Sequence, residues 1–351
     1  MQICTYTPPS WAESLTNRPQ HIFPLALCPT PLHSWTLPFF QGAQTFWLKR
    51  DDCTGSALSG NKVRKLSFLL AEAHAQKADT ILTCGGLQSN HCRATAVACS
   101  QLGLECHLYL RTSEPVQSHV LQGNLLLDRL AGAILHPISP VTYAQGQIFL
   151  NNEAKSLEAQ GKRVYVIPEG GSNALGSWGY LQATEELLEQ CKQQSLTIDD
   201  VVVACGSGGT AAGLAAGLAL AKSRIRVHAV NVCDNASYFY KQINAIFQDW
   251  QLPFQAEDVL NIIDGYKGLG YALNTPEELE QLVRVGQQTG IFLDPVYTGK
   301  ALLGCLQTCK HKPSCFQGNN ILFWHTGGIF SLFAKSQLFT PWLLDPKNVS
   351  S

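Results

Sequence analysis

One stretch constrains the fold of this chain more than any other. An apolar, β-branched run (Val201–Cys205) meets the loop Gly206-Ser207-Gly208-Gly209-Thr210; an alanine-rich segment (Thr210–Lys222) and a second apolar run (Arg226–Val232) follow. That order reads as strand, glycine turn, helix, strand. The same alternation extends along the chain. Thr80–Cys84 reads as a strand, Ser89–Leu102 as a helix and Glu105–Leu110 as a strand. Gln117–Ala131 and Val141–Gln160 read as helices, Arg163–Ile167 as a strand and Asn173–Gln190 as a helix. Pro276–Thr289 and Gly299–Thr308 are helical in pattern, and Asn320–His325 is a strand running into Thr326-Gly327-Gly328. Strands alternating with helices of this length predict an α/β fold with parallel sheets covered on both faces.

The chain has 351 residues, enough for two domains. The Ser59–Asn61 bend and Glu169-Gly170-Gly171-Ser172-Asn173 are the expected crossing points between two sheets. They predict a smaller domain, residues 65–172, inserted into a larger one formed by 1–64 plus 173–351. A net charge of −1 offers no basic field for a nucleic-acid backbone. No apolar run reaches the roughly 18–20 residues of a membrane span. The expected partners therefore exclude nucleic acid and membrane. The first residues, Met1 to Pro9, lack a basic region followed by an apolar core, so no secretory signal is expected. The thirteen cysteines are irregularly spaced, and no CxxC pair occurs. That pattern gives no support to a metal site and favours a reduced, cytoplasmic protein.

Three loops carry the chemistry. In Ser59-Gly60-Asn61-Lys62, a glycine bend sets one lysine where a helical pattern begins, so its amine can point into a cleft. Alone, such a lysine reads as a surface residue. Gly85-Gly86-Leu87-Gln88-Ser89-Asn90 joins a strand to a helix, and Ser89 or Asn90 would by default be its cap. In Gly206–Thr210, the glycines let the backbone approach an anion at a helix start, with Ser207 and Thr210 as further donors. A dinucleotide fingerprint is the rival reading of this loop, with Ala211 at the third glycine position. A tight strand–helix turn without ligand is the plain one. Together, an amine nucleophile, a loop of small hydrogen-bonding residues and an anion cradle are what an enzyme needs to hold pyridoxal 5'-phosphate as a Schiff base.

With these residues laid out, the chain resembles the family of pyridoxal-phosphate enzymes containing D-cysteine desulfhydrases and 1-aminocyclopropane-1-carboxylate (ACC) deaminases, of the tryptophan-synthase-β fold type (fold type II). The resemblance runs nearly end to end. It rests on Thr30-Pro31, Leu48-Lys49-Arg50-Asp51-Asp52-Cys53, Gly60–Leu66, Gly85–Asn90, Gly206–Gly213, Gly270-Tyr271, Asp294–Ala301 and His325–Gly328. It implies two open twisted sheets with the cofactor in the cleft between domains, and a homodimer. It implies Lys62 as the Schiff-base lysine, with Asn61 and Asn90 near the cofactor ring. Ser207, Gly208, Gly209 and Thr210 would surround the phosphate. Gln88, Ser89, Asn90, Tyr271 and Tyr297 would face a small amino-acid substrate, with Ser89, Tyr271 and Tyr297 joining Lys62 in catalysis.

ACC deaminases place a glutamate after the DPVY tyrosine, against the ring nitrogen. This chain has Thr298 there, and Thr326 is the other residue expected near the ring. Both resemble the desulfhydrase pattern. A neutral hydroxyl makes a weaker electron sink than a carboxylate, which suffices when a thiolate leaves. The expected reaction is β-elimination of D-cysteine to sulfide, pyruvate and ammonia. ACC ring opening and cysteate sulfo-lyase activity are the alternatives within the family. A nucleotide-binding α/β protein without catalysis is the alternative outside it.

Overall fold

The computed structural model describes residues 1–115 and 118–344. Short β1 (Cys4–Thr5) and β2 (His21–Ile22) pair antiparallel near the start of the chain. β3 (Leu32–Ser34) and β4 (Thr45–Arg50) belong to a larger sheet. β5 (Thr80–Gly86), β6 (Glu105–Arg111), β7 (Ile134–Ile138) and β8 (Val164–Val166) form a separate four-stranded sheet in the order β7-β6-β5-β8, parallel throughout. β9 (Asp200–Cys205), β10 (Arg226–Asn231), β11 (Leu260–Ile263) and β12 (Asn320–His325) complete the larger sheet, in the order β11-β10-β9-β12-β4-β3. Only its β3–β4 pairing is antiparallel. Separate apolar clusters cover each face of both sheets, for example Val201 and Val203 on one face and Val202 and Ala204 on the other. Burial on both sides explains why these strands read as continuous apolar runs rather than as alternating ones.

Several elements differ from their sequence patterns. The helix expected over Gln117–Ala131 spans Gly123–Leu130; Gln117 itself lies outside the described residues. Gly123, with φ +57°, starts it, and an added Cβ there would lie 2.7 Å from the Phe330 carbonyl. The helix expected over Val141–Gln160 is two, Pro140–Tyr143 and Gln147–Glu158, parted by Gly146 at φ +56°. The strand expected over Arg163–Ile167 contracts to Val164–Val166. β7 has no clear sequence signal because it contains Pro137, which is tolerated on an edge strand. β11 is an edge strand as well, and short.

The motif Leu48–Cys53 turns out to be a structural clasp. Asp51 is fully buried and accepts hydrogen bonds from Arg64 (2.8 and 3.0 Å), Thr30 (3.0 Å), Tyr180 (2.6 Å) and the Trp324 indole (2.8 Å). Glu186 completes it by pairing with Arg64 at 2.9 Å and with Lys49. The clasp ties β4, β12 and helix Ala174–Gln193 to helix Lys62–Ala75, and so fixes where that helix begins.

Candidate active site

The carboxyl ends of strands from both sheets border one cavity of ≈ 370 Å³. Gly86 ends β5, Arg111 ends β6, Cys205 ends β9 and Thr326 follows β12; all four line it. This is where open parallel sheets place ligands, and the volume lies within the range of small-molecule sites.

Lys62 is the first residue of its helix, and its amine projects into this cavity. Gly60, at φ +109°, makes the bend: an added Cβ would lie 3.0 Å from the Thr326 carbonyl, which also accepts the Asn61 N–H at 3.0 Å. The Lys62 amine donates to the Gly170 carbonyl at 3.3 Å. Gly170 must be glycine, because a Cβ there would lie 2.6 Å from Ser207 Oγ and 3.0 Å from Lys62 Nζ, at a φ of +66°. Burial lowers the pKa of Lys62 to about 8, against an opposing pull from Glu169. The amine is therefore uncharged in a large fraction of molecules slightly above neutral pH. In cofactor-stripped protein, acylation of Lys62 by an amine-directed reagent, followed by mass spectrometry, is expected to be half-maximal near pH 8. Surface lysines should follow their ordinary value of about 10.4. Co-titration of Lys62 with them would mean that its amine is solvated.

The other expected residues divide into those that reach the cavity and those that stand behind it. Asn61, Ser89, Asn90, Ser207, Gly208, Thr210, Tyr271, Tyr297 and Thr326 all line it. Ser89 also caps helix Asn90–Leu102 by accepting the Cys92 N–H at 3.2 Å, so the default role and a place in the cavity coincide. Asn61 Nδ2 donates to Thr210 Oγ1 at 3.0 Å, joining the lysine loop to the glycine loop. Tyr271 and Tyr297 share a 3.0 Å hydroxyl–hydroxyl hydrogen bond. Burial pushes the Tyr271 phenol up to about 12, and burial likewise raises that of Tyr297 well above its ordinary value.

Gln88, Gly209 and Thr298 are not among the lining residues. The Gln88 side chain braces the start of helix Gly123–Leu130, accepting from the Asn124 N–H at 2.9 Å and donating to the Gln122 carbonyl at 3.1 Å. Thr298 is fully buried; its hydroxyl donates to Asp294 Oδ1 at 2.7 Å and accepts the Asp294 N–H at 2.8 Å. Asp294 in turn accepts the amides of Val296, Tyr297 and Thr298, which sets the turn that presents Tyr297. Of the two threonines expected at the ring, only Thr326 borders the cavity.

The structure adds residues that sequence reading passed over: Lys65, His91, Arg111, Tyr143 and Glu169. Lys65 follows Lys62 by three residues, a spacing that shares a helix face and was the available signal. Its amine donates to Ser172 Oγ at 2.9 Å and to the Gly170 carbonyl at 3.2 Å. It lies close behind the glycine loop, 2.8 Å from where a Gly209 Cβ would be. Burial, then the Lys62 charge, hold its pKa well below that of an ordinary lysine, and it has no carboxylate partner among the described residues. Helix Gly209–Leu220 begins there without a side-chain cap, and Gly208 has φ +85°. An unpaired buried amine beside uncapped helix amides is an arrangement that an anionic group completes. The residues present thus fit pyridoxal 5'-phosphate: Ser207, Gly208, Gly209 and Thr210 with Lys65 for its phosphate, and Asn61, Asn90 and Thr326 for its ring. His91 also lines the cavity, and its buried Nδ1 has no hydrogen-bond partner.

The chain is similar to known proteins over most of its length. Residues 24–327, well over half of the chain, match the family described as "Pyridoxal-phosphate dependent enzyme". The chain is 49% identical over 336 residues to an Arabidopsis thaliana protein named bifunctional D-cysteine desulfhydrase/1-aminocyclopropane-1-carboxylate deaminase, mitochondrial; the match covers 94% of this chain and 84% of that protein. The crystal structure of an ACC deaminase homologue is similar at a TM-score of 0.81 and 31% identity, covering 95% of this chain and 99% of its own. A hydrogen sulfide-producing enzyme from Fusobacterium nucleatum shares the fold at a TM-score of 0.62 and 15% identity, covering 92% and 98% of the two chains.

Proposed function

Because the chain belongs to the pyridoxal-phosphate-dependent enzyme family, we propose that it catalyses the β-elimination of D-cysteine to sulfide, pyruvate and ammonia. Its cofactor is pyridoxal 5'-phosphate. When bound, that group supplies an electron sink for the pair left behind when the substrate's α-proton is removed. The observation that carries the reading is the buried Lys62 amine, facing the same cavity as the Tyr271–Tyr297 hydroxyl pair and Ser89.

The chain's own groups divide the proton work. Lys62 Nζ, desolvated and readily uncharged, takes the α-proton. Ser89 Oγ accepts the Cys92 amide, which leaves its own hydrogen free to hold the substrate's carboxylate beside the first amides of helix Asn90–Leu102. Tyr271 keeps its phenolic proton at neutral pH, because burial lifts its pKa to about 12, and donates it to the departing sulfur. Tyr297 orients Tyr271 through the 3.0 Å hydrogen bond. Tyr143 and the backbone at Gly146 border the cavity from the smaller sheet's side and restrict water.

ACC ring opening is a second reading, supported by the bifunctional name of the Arabidopsis relative. We favour a small amino acid as substrate, a homodimer, and residues 65–172 as a smaller unit inserted into the rest. A reducing compartment is also part of the proposal: all thirteen cysteines, each among the described residues, are free thiols. The cytoplasm meets that condition. So does an organelle interior, as the relative's mitochondrial label suggests. No helix among the described residues is long and apolar enough to cross a membrane.

The test is product release by the purified, cofactor-loaded protein from D-cysteine, L-cysteine and ACC in parallel. Sulfide with pyruvate from D-cysteine, and not from L-cysteine, is the expected result. Formation of 2-oxobutyrate from ACC with no sulfide from either cysteine would overturn the β-elimination reading.

A further inference from the structure

We propose that Arg111 is a specificity-determining residue, which receives negative charge at the β-position of the substrate and so directs the site toward amino acids whose β-substituent is anionic or leaves as an anion. The proposal rests on the reading of this cavity as an amino-acid site. Arg111 ends β6 and lines the cavity. Its guanidinium carbon lies 4.9 Å from the centre of the Tyr143 ring and 5.2 Å from that of the Tyr271 ring, so two aromatic rings hold it. Arginine side chains offer five N–H donors in a fixed fork. Among the described residues, no hydrogen bond or ion pair to a protein acceptor engages those of Arg111. Glu169 lines the same cavity but makes no salt bridge with it.

Its position separates it from the phosphate cradle. Arg111 sits in register with Gly86 on the neighbouring strand, at the head of the loop that leads to Ser89. The cradle follows β9, in the other sheet. Tyr271 reaches the same place, its hydroxyl 3.8 Å from where a Gly86 Cβ would be. A substrate carboxylate held at Ser89 therefore leaves its β-substituent within the sector bordered by Arg111 and Tyr271. In the elimination, the Cα–H electron pair becomes the Cα–Cβ double bond, the proton passes to Lys62, and the Cβ–S pair leaves on sulfur. A cation next to that sulfur stabilises the charge as it develops, and Tyr271 supplies the proton. The same cation would favour a fixed negative charge at that position, as in a β-sulfonate.

The test is equilibrium binding to the cofactor-loaded protein, by ligand-observed NMR titration, of two amine-free probes that cannot turn over: 3-sulfopropanoate and butanoate. The wild-type protein is expected to bind the sulfonate about tenfold more tightly. Arg111→Gln should bring the two affinities to within about twofold, chiefly by weakening the sulfonate, and Arg111→Lys should keep part of the preference. A preference retained in Arg111→Gln, or an equal loss for both probes in both variants, would overturn the proposal. The measurement needs no turnover. A wild-type protein that discriminates the probes but releases no sulfide from D-cysteine would thus overturn the reaction assignment and leave the role of Arg111 standing.

Discussion

Lys62→Ala is expected to lower sulfide release from D-cysteine by at least about 10³-fold, the scale of losing a positioned proton-transfer group that is also the covalent anchor. The fold should survive. Lys62 opens a helix, where alanine is well tolerated, and its amine makes one 3.3 Å hydrogen bond at the cost of full burial. The variant should therefore keep the wild-type far-ultraviolet circular dichroism spectrum while losing the absorbance of a lysine-linked cofactor. Turnover within tenfold of wild type would end the assignment of Lys62. Loss of the circular dichroism signal would instead mean that Lys62 is structural.

Asp51→Asn is expected to be the most destabilising of the changes considered, by about 3–5 kcal/mol, read as a lower urea midpoint. The carboxylate is fully buried and meets Arg64, Tyr180, Trp324 and Thr30. The asparagine variant leaves Arg64 with only Glu186 as counter-charge in a place closed to water. Burial pushes the Asp51 pKa up, but the Arg64 charge and hydrogen bonds bring it below its ordinary value. Its folded pKa thus lies below the unfolded one of about 3.9. The stabilisation it provides is complete above the unfolded value and disappears as pH falls through the lower, folded value. The difference between wild type and Asp51→Asn should accordingly be full at pH 7 and shrink only in strong acid. An unchanged urea midpoint at pH 7 would mean that the clasp is not what holds Lys62's helix in place.

The contrast between Lys62 and Thr298 shows what could be read in advance. The place of Lys62 at a helix start on the cavity wall was legible because a glycine bend and a helix start are local events, and local events fix which way the first helical side chain projects. Thr298 follows an equally local turn, yet its hydroxyl is captured by Asp294, four residues earlier. The turn brings both the Asp294 carboxylate and the Asp294 N–H to that hydroxyl, and so turns it away from the cavity. Gln88 is similar: its partners, Gln122 and Asn124, lie beyond the next strand and depend on how helix Gly123–Leu130 packs. The edge strands β7 and β11 gave no clear strand signal, β7 because Pro137 interrupts it and β11 because it is only four residues long.

By itself, the sequence determined the alternation of strands and helices, the three glycine loops and the lysine at the head of its helix. Each follows from steric limits on φ and from which side chains must leave water, and both act within a few residues. Only the tertiary structure decided that Arg111, Tyr143 and Glu169 share a cavity with Lys62, and that Lys65 stands behind the glycine loop. Arg111 ends a strand of the smaller sheet, while Tyr143, Glu169 and the two lysines lie on helices and turns outside both sheets. Their proximity arises from packing the carboxyl edges of the two sheets against one cleft, a long-range arrangement that no local pattern encodes.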